Sequence, residues 1–177
     1  MQTIKTSRLT LRIFEPSDIT AVYRIMQQPE VGDICATIGK NPSKAIAQAW
    51  IDKAIREYQT EEAFIYAILL EGQVVGSIGL HLELPQKTTA EIGYWLDTAA
   101  WGKGLALEAC TAIIEDLLPT RQTIQKLIAT TDKANNRSGN LLLKLGFKLT
   151  GETIVNTIEG VERPSFLYEK PLEYPLR

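Results

Sequence analysis

Residues 91–106 read EIGYWLDTAAWGKGLA, from Glu91 to Ala106. The first half is rich in Ile, Tyr and Trp and reads as a strand. Gly102 and Gly104 then form a turn. Ala106, Ala109, Ile113 and Leu117 continue as the apolar face of a helix, which Pro119 is expected to end. A strand that runs through glycines into a helix is a phosphate-binding geometry. The first helical N–H groups have no partner inside the helix, and the dipole is positive at that end. Glycines without Cβ let the backbone approach a pyrophosphate closely. By itself the pair Gly102 and Gly104 reads as an ordinary tight turn. Two better-known phosphate loops do not fit. Lys103 is followed by Gly104 rather than Ser or Thr, so the P-loop pattern fails. Leu107 stands where a dinucleotide fingerprint needs Gly or Ala.

Outward from this stretch the chain alternates strands and helices. Upstream, Ala63–Leu70 and Val74–Leu84 flank Glu71-Gly72, an acidic-Gly pair that predicts a hairpin. Pro85 closes that strand, and Thr88–Asp97 forms the next. Leu9, Leu11 and Ile13 alternate with polar neighbours as a first strand. Ile19, Val22, Tyr23 and Met26 repeat at helical spacing, with Pro16 at the start and Pro29 near the end. Asn41-Pro42 predicts the cap and first position of a helix whose stripe is Ala47, Trp50, Ile51, Ala54, Ile55 and Tyr58. Downstream, Lys126–Thr131 is a short strand and Ser138–Leu145 a short helix stopped by Gly146. Phe147–Thr157 and Val161–Leu172 form a last antiparallel pair joined at Glu159-Gly160. The predicted order is β-α-α-β-β-β-α-β-α-β-β, an α/β fold with an early antiparallel meander.

Composition narrows the function. The chain has 177 residues, 45% of them apolar and 23% charged, as expected for one globular domain spanning residues 1–177. Nineteen Lys and Arg against 21 Asp and Glu leave a net charge of −2, which argues against a general nucleic-acid surface. Cys35 and Cys110 stand far apart, so no disulfide framework is expected. His81 is the sole histidine, which excludes a multi-histidine zinc site, and no metal is expected. Met1 to Arg12 carries no apolar run of signal-peptide length, and no membrane-spanning stretch is visible. A cytoplasmic protein is expected.

Four blocks in chain order carry a more specific signal. Trp101-Gly102-Lys103-Gly104-Leu105-Ala106 resembles the acyl-CoA loop of the GNAT N-acetyltransferases, Gln/Arg-x-x-Gly-x-Gly/Ala, with Trp101 at the Gln/Arg position. Asn135-Asn136-Arg137-Ser138 followed by Lys144-Leu145-Gly146-Phe147 resembles the family's Asn-x-x-Ser and Lys-Leu-Gly-Phe block. Thr6-Ser7-Arg8-Leu9-Thr10-Leu11-Arg12 and Glu91-Ile92-Gly93-Tyr94-Trp95-Leu96 are similar to the ribosomal-protein N-terminal acetyltransferase branch, RimJ and RimL. The resemblance implies the GNAT acyl-CoA N-acyltransferase fold, a mixed, mostly antiparallel central sheet flanked by helices on both faces. It implies that the strand carrying Glu91 splays from its neighbour. The pantetheine arm of acetyl-CoA, the co-substrate, would then lie beside Trp95, Leu96 and Asp97. The pyrophosphate would rest on the amides of Gly102, Lys103, Gly104, Leu105 and Ala106, and Asn135 and Ser138 would stand beside the cofactor.

The implied reaction is attack of an amine on the acetyl-CoA thioester. An amine of pKa ~8 to ~10 is mostly protonated at neutral pH, so a base is needed. The resemblance points to Glu91; an ion pair or solvated strand residue is its structural alternative. Many relatives carry a Tyr acid four residues before the Gly of the Gly-Phe pair, where this chain has Leu142. Ser138 or a water is the replacement donor, or none is needed. His81 is the second candidate base and otherwise a structural histidine. Cys110, Trp50, Tyr58 and Tyr23 are expected in the core. The acceptor is expected to be a protein N-terminus or a small amine, shaped by residues 33–41 and 153–163, on a monomer or homodimer. A GNAT-fold module that binds acyl-CoA without transfer is the alternative, favoured by the absent Tyr.

Overall fold

The period-two pattern at Leu9 and Leu11 buries both side chains, and the same rule places the remaining strands. A computed structural model describes residues 3–36 and 38–174, so Met1, Gln2, Thr37 and residues 175–177 of the expected domain lie outside the described residues. The strands are β1 (Ile4–Lys5), β2 (Leu9–Ile13), β3 (Ala63–Leu70), β4 (Gln73–Leu82), β5 (Thr89–Leu96), β6 (Lys126–Asp132), β7 (Lys148–Asn156) and β8 (Glu162–Pro171). The helices are α1 (Ile19–Met26), α2 (Pro29–Ile34), α3 (Lys44–Gln59), α4 (Leu105–Ala112) and α5 (Asn136–Lys144). One eight-stranded sheet runs β1-β2-β3-β4-β5-β6-β8-β7. Every neighbouring pair is antiparallel except β5 and β6, which are parallel.

The sheet is apolar on both faces. Ala63, Ile65, Ala67 and Leu69 pack with Val22 and Ile25 of α1 and Ala47, Ile51 and Ala54 of α3. Phe64, Tyr66 and Ile68 pack with Ala109 of α4, Ile113 and Leu142 of α5. This alternation explains why β3 reads as one unbroken apolar run: it is covered on both sides. Glu71 and Gly72 have φ of 50° and 80°, the two left-handed positions of a two-residue hairpin loop.

Some boundaries differ from the sequence reading. Ser43, not Asn41, caps α3, its hydroxyl accepting from the Ile46 N–H at 3.3 Å. The helix expected to end near Pro29 ends at Met26, and Pro29 itself opens α2, because a residue without an N–H fits a first helical position. Asp33 and Ile34, at the start of the segment expected to shape the acceptor site, therefore lie in this helix. A two-residue β1 was invisible to periodicity. Beyond α4 the chain continues as a π turn over Ile113–Leu117 and a 3-10 turn over Leu118–Thr120, which places Pro119 inside the latter. Asn135 caps α5, and Gly146 at φ 82° stops it as expected. Among the described residues no helix is long and apolar enough to cross a membrane.

Candidate active site

The one parallel pairing is brief. Strands β5 and β6 meet at Thr89↔Lys126, Ala90↔Leu127 and Glu91↔Ile128, and no further pairs follow. After Glu91, β5 continues against β4 and β6 against β8, so a gap opens between them. Backbone groups alternate sides along a strand. The Thr89 carbonyl accepts from the Glu83 N–H at 2.9 Å and the Asp97 N–H donates to the Val75 carbonyl at 2.8 Å, so odd-numbered residues of β5 turn toward β4. The Thr88 carbonyl accepts from the Gln125 N–H at 2.7 Å, so even-numbered residues turn toward β6. The Ile92 N–H closes the last rung, onto Ile128, and beyond it the Ile92 C=O, the N–H and C=O of Tyr94 and the N–H of Leu96 face the gap. The Leu96 carbonyl accepts from Trp101 Nε1 at 2.9 Å. Of the residues expected beside a pantetheine arm, Leu96 faces the gap, while Trp95 and Asp97 turn their backbone toward β4. Period-two geometry, applied with the right parity, was the signal that pointed to Ile92 and Tyr94 instead.

Asp97 has a different task. Its side chain accepts from the Ala99 N–H at 3.0 Å and Gln28 Nε2 at 3.1 Å, and pairs with Arg24 at 2.7 Å. Burial works to raise its pKa. The hydrogen bonds from Gln28 and Ala99 and the Arg24 charge outweigh it, holding the carboxyl below its ordinary value. Asp97 thereby fixes the short turn over Thr98–Ala100 that delivers the chain to the glycines.

Gly102 and Gly104 have φ of 74° and 75°, a region that costs other residues steric energy. A Cβ at Gly102 would meet nothing within 4 Å, and one at Gly104 only Arg8 Nη2 at 3.6 Å, so open space lies beside both. Gly104 is the cap residue of α4, and the amides of Leu105 and Ala106 belong to its first turn. Leu105 buries its side chain in the core, so only its backbone is available. Lys103 presents its carbonyl to Arg8 Nη1 at 2.9 Å. The same arginine pairs with Glu108 at 2.6 Å, and Thr6, Ser7 and the Arg8 N–H also donate to that carboxylate. Burial opposes ionisation of Glu108, but these donors prevail and its pKa falls to about 2. The Thr6–Arg8 block thus clamps the loop.

Glu91 stands where the gap begins, and Thr130 Oγ1 donates to its Oε1 at 2.8 Å. The register places His81, Glu91, Ile128 and Glu169 in one row across β4, β5, β6 and β8, on the α3 side. His81 is exposed at that surface. Desolvation lowers its pKa, against the pull of the Glu57 and Glu91 carboxylates and with the push of Lys53. On the opposite face, Asn135 Oδ1 accepts from the Ser138 N–H at 3.2 Å, and the Ser138 hydroxyl lies 2.7 Å from Tyr94 Oη. Leu142 is fully buried in the core. Cys110 is buried too, which pushes its thiol pKa up. Tyr94 and Thr130 escaped the sequence reading because their partners lie 44 and 39 residues away.

Residues 8–148 match the family described as acetyltransferase (GNAT) domain. The chain belongs to the GNAT acetyltransferase family. Its reaction class is accordingly acetyl transfer to an amine. The GNAT chain is 30% identical over 155 residues, 85% of each chain, to an N-acetyltransferase p20 of Bacillus licheniformis described as uncharacterized. It is 30% identical over 94 residues to the ribosomal-protein-serine acetyltransferase of Escherichia coli K12, covering 53% of this chain and 52% of that one. In fold it is similar to RimL, the ribosomal L7/L12 alpha-N-protein acetyltransferase, in complex with coenzyme A. The TM-score is 0.83 at 19% identity, covering 97% and 98% of the two chains. The microcin C7 self-immunity acetyltransferase MccE, in complex with acetyl-CoA and AMP, also gives 0.83, at 21% identity and 94% of each chain.

Proposed function

We propose that this GNAT domain takes acetyl-CoA into the gap between β5 and β6 and transfers the acetyl group to a protein N-terminal amine. The carrying observation is the continuity of backbone groups that face the gap beyond the last rung of the β5–β6 ladder. Ile92, Tyr94 and Leu96 point into the gap, and the open loop of Gly102 to Ala106 follows on the same strand. An amide-bearing arm pairs with the former, and a pyrophosphate accepts from the latter. Lys103 adds a positive side chain at the loop, and Asn135 and Ser138 close the site from α5. The acceptor amine enters from the face of Glu91, His81 and Thr130. Relatives that act on ribosomal proteins support a protein acceptor and a cytoplasmic setting.

The chemistry follows from those positions. Glu91 takes a proton from the ammonium, and the free nitrogen attacks the thioester carbonyl carbon. A gap-facing backbone N–H stabilises the oxyanion. The intermediate loses the second nitrogen proton to solvent and collapses by breaking the C–S bond, the electron pair going to sulfur. The thiolate accepts the Ser138 hydroxyl proton, the position otherwise held by Tyr being the buried Leu142. A panel of peptides with different N-terminal residues, incubated with acetyl-CoA, should release free thiol with a preference among them. Thiol release with small polyamines and with none of the peptides would redirect the acceptor assignment. Binding of acetyl-CoA with no thiol release from any amine would return the protein to the binding-only reading.

A further inference from the structure

Tyr94 has a double position. Its backbone N–H and C=O face the gap, while its side chain crosses to the first turn of α5, where its phenol oxygen lies 2.7 Å from Ser138 Oγ. We infer that Tyr94 is a positioning residue for the leaving-group step: it donates to the Ser138 hydroxyl, so that the serine's own hydrogen points into the gap toward the departing sulfur. The inference rests on the acetyl-transfer reading above and on Ser138 as proton donor.

Three observations support it. A serine hydroxyl on a helix rotates among staggered positions unless something holds it. Here the Ser138 backbone N–H is committed to Asn135 Oδ1 at 3.2 Å, and the phenol is the partner of the hydroxyl. Second, the turn cannot drift from the sheet freely, because Gly139 sits so close to β8 that a Cβ there would lie 2.6 Å from Tyr168 Oη. The distance from serine to gap is thus set by packing. Third, burial raises the Tyr94 pKa, and the Ser138 hydrogen bond acts against it. The phenol keeps its proton at working pH and is available as donor. In the step itself the C–S bond breaks, the sulfur takes the electron pair and accepts the Ser138 proton. The Tyr94 O–H holds the serine oxygen as its charge develops, and solvent returns the serine proton in the same step, so that no alkoxide stands beside the more acidic phenol and thiol.

The test is a double-mutant cycle on the full chain, with acetyl-CoA and the best peptide acceptor. Tyr94→Phe removes one oxygen and keeps the ring. Tyr94→Phe and Ser138→Ala should each lower kcat by about 10- to 100-fold, the scale of a lost proton-transfer group. The acetyl-CoA KM and the CoA-induced melting shift should stay within about twofold of the parent, which a merely structural role would not preserve. The double variant should be no slower than Ser138→Ala, because the two groups act as one unit. Ser138→Thr, which keeps a hydroxyl, should retain sensitivity to Tyr94→Phe. Unchanged kcat in Tyr94→Phe, or an equal loss in both backgrounds, overturns the positioning role and leaves Ser138 as donor. Unchanged kcat in Ser138→Ala overturns both. Failure of the transfer reading shows separately, as no turnover in the parent, and overturns the inference with it.

Discussion

Glu91 is the last residue of β5 to pair with β6, which puts a carboxylate at the apex of the gap with Thr130 holding one oxygen. Glu91→Gln keeps the shape but cannot accept a proton. Turnover at neutral pH should fall by about 10²-fold, and CoA affinity should be unchanged because backbone groups hold the cofactor. The deficit should shrink as pH rises and more acceptor is already free amine; full turnover near neutral pH would move the base to His81. Gly104 separates backbone strain from charge. At φ 75° with only Arg8 Nη2 near a new Cβ, Gly104→Ala should cost about 1 kcal/mol, a melting decrease of roughly 2–4 °C. Gly104→Asp adds a carboxylate where a pyrophosphate is proposed and should abolish CoA binding with the fold retained. Equal CoA affinity in Gly104→Asp and the parent would remove the loop from the site.

Among the elements, α4 is tied to the strand entry by Glu108 and its donors Thr6, Ser7 and Arg8. The folded pKa of Glu108, about 2, lies below the value of an unfolded glutamate, so the folded state binds fewer protons through this group. Its contribution is complete above about pH 5 and is lost as pH falls toward 2. Acid-unfolding curves of Glu108→Gln and the parent should differ at neutral pH and converge near pH 2; a constant offset across the range would refute the linkage. A second tie joins the segment after α2 to the β7–β8 turn. The Ile158 N–H donates to the Ala36 carbonyl at 2.9 Å, Glu159 accepts from the Lys40 N–H at 2.5 Å, and Arg163 donates to the Asp33 carbonyl. A Cβ on Gly39 would lie 2.6 Å from Glu159 Oε1 and 2.7 Å from Ile158 Cγ2. Gly39→Ala should loosen this strap and raise the acceptor KM several-fold while leaving the acetyl-CoA KM alone. Parallel rises in both would place the effect on the fold.

At the scale of the molecule, helices pack against both faces of the sheet's centre, and the gap beside the parallel pair is a break in the hydrogen-bonded ladder. A ligand that supplies the missing partners binds the folded state alone and stabilises it. At 100 times its dissociation constant CoA should add about 2.7 kcal/mol, visible as a rise in Tm without added metal. No rise at millimolar CoA or acetyl-CoA would refute the proposed cofactor site. The family was visible because its blocks are local. The acceptor face was not, because His81, Glu91, Ile128 and Glu169 come from four separate strands.

Local chemistry carried the reading of most elements. Alternation at Leu9 to Ile13, the positive-φ pair Glu71-Gly72, the glycines of the loop and Gly146 each act within a few residues, so they are written where they act. Proline is ambiguous at that range: α1 ends at Met26, near Pro29, yet Pro29 itself opens α2, and Ser43 rather than Asn41 serves as cap. The parting of β5 from β6, the parity that turns Ile92 and Tyr94 into the gap, and the contact of Tyr94 with Ser138 all depend on strand register and helix placement. Those are set by burial of side chains far apart in sequence, and a one-residue slip in either strand would turn each of them to the other side.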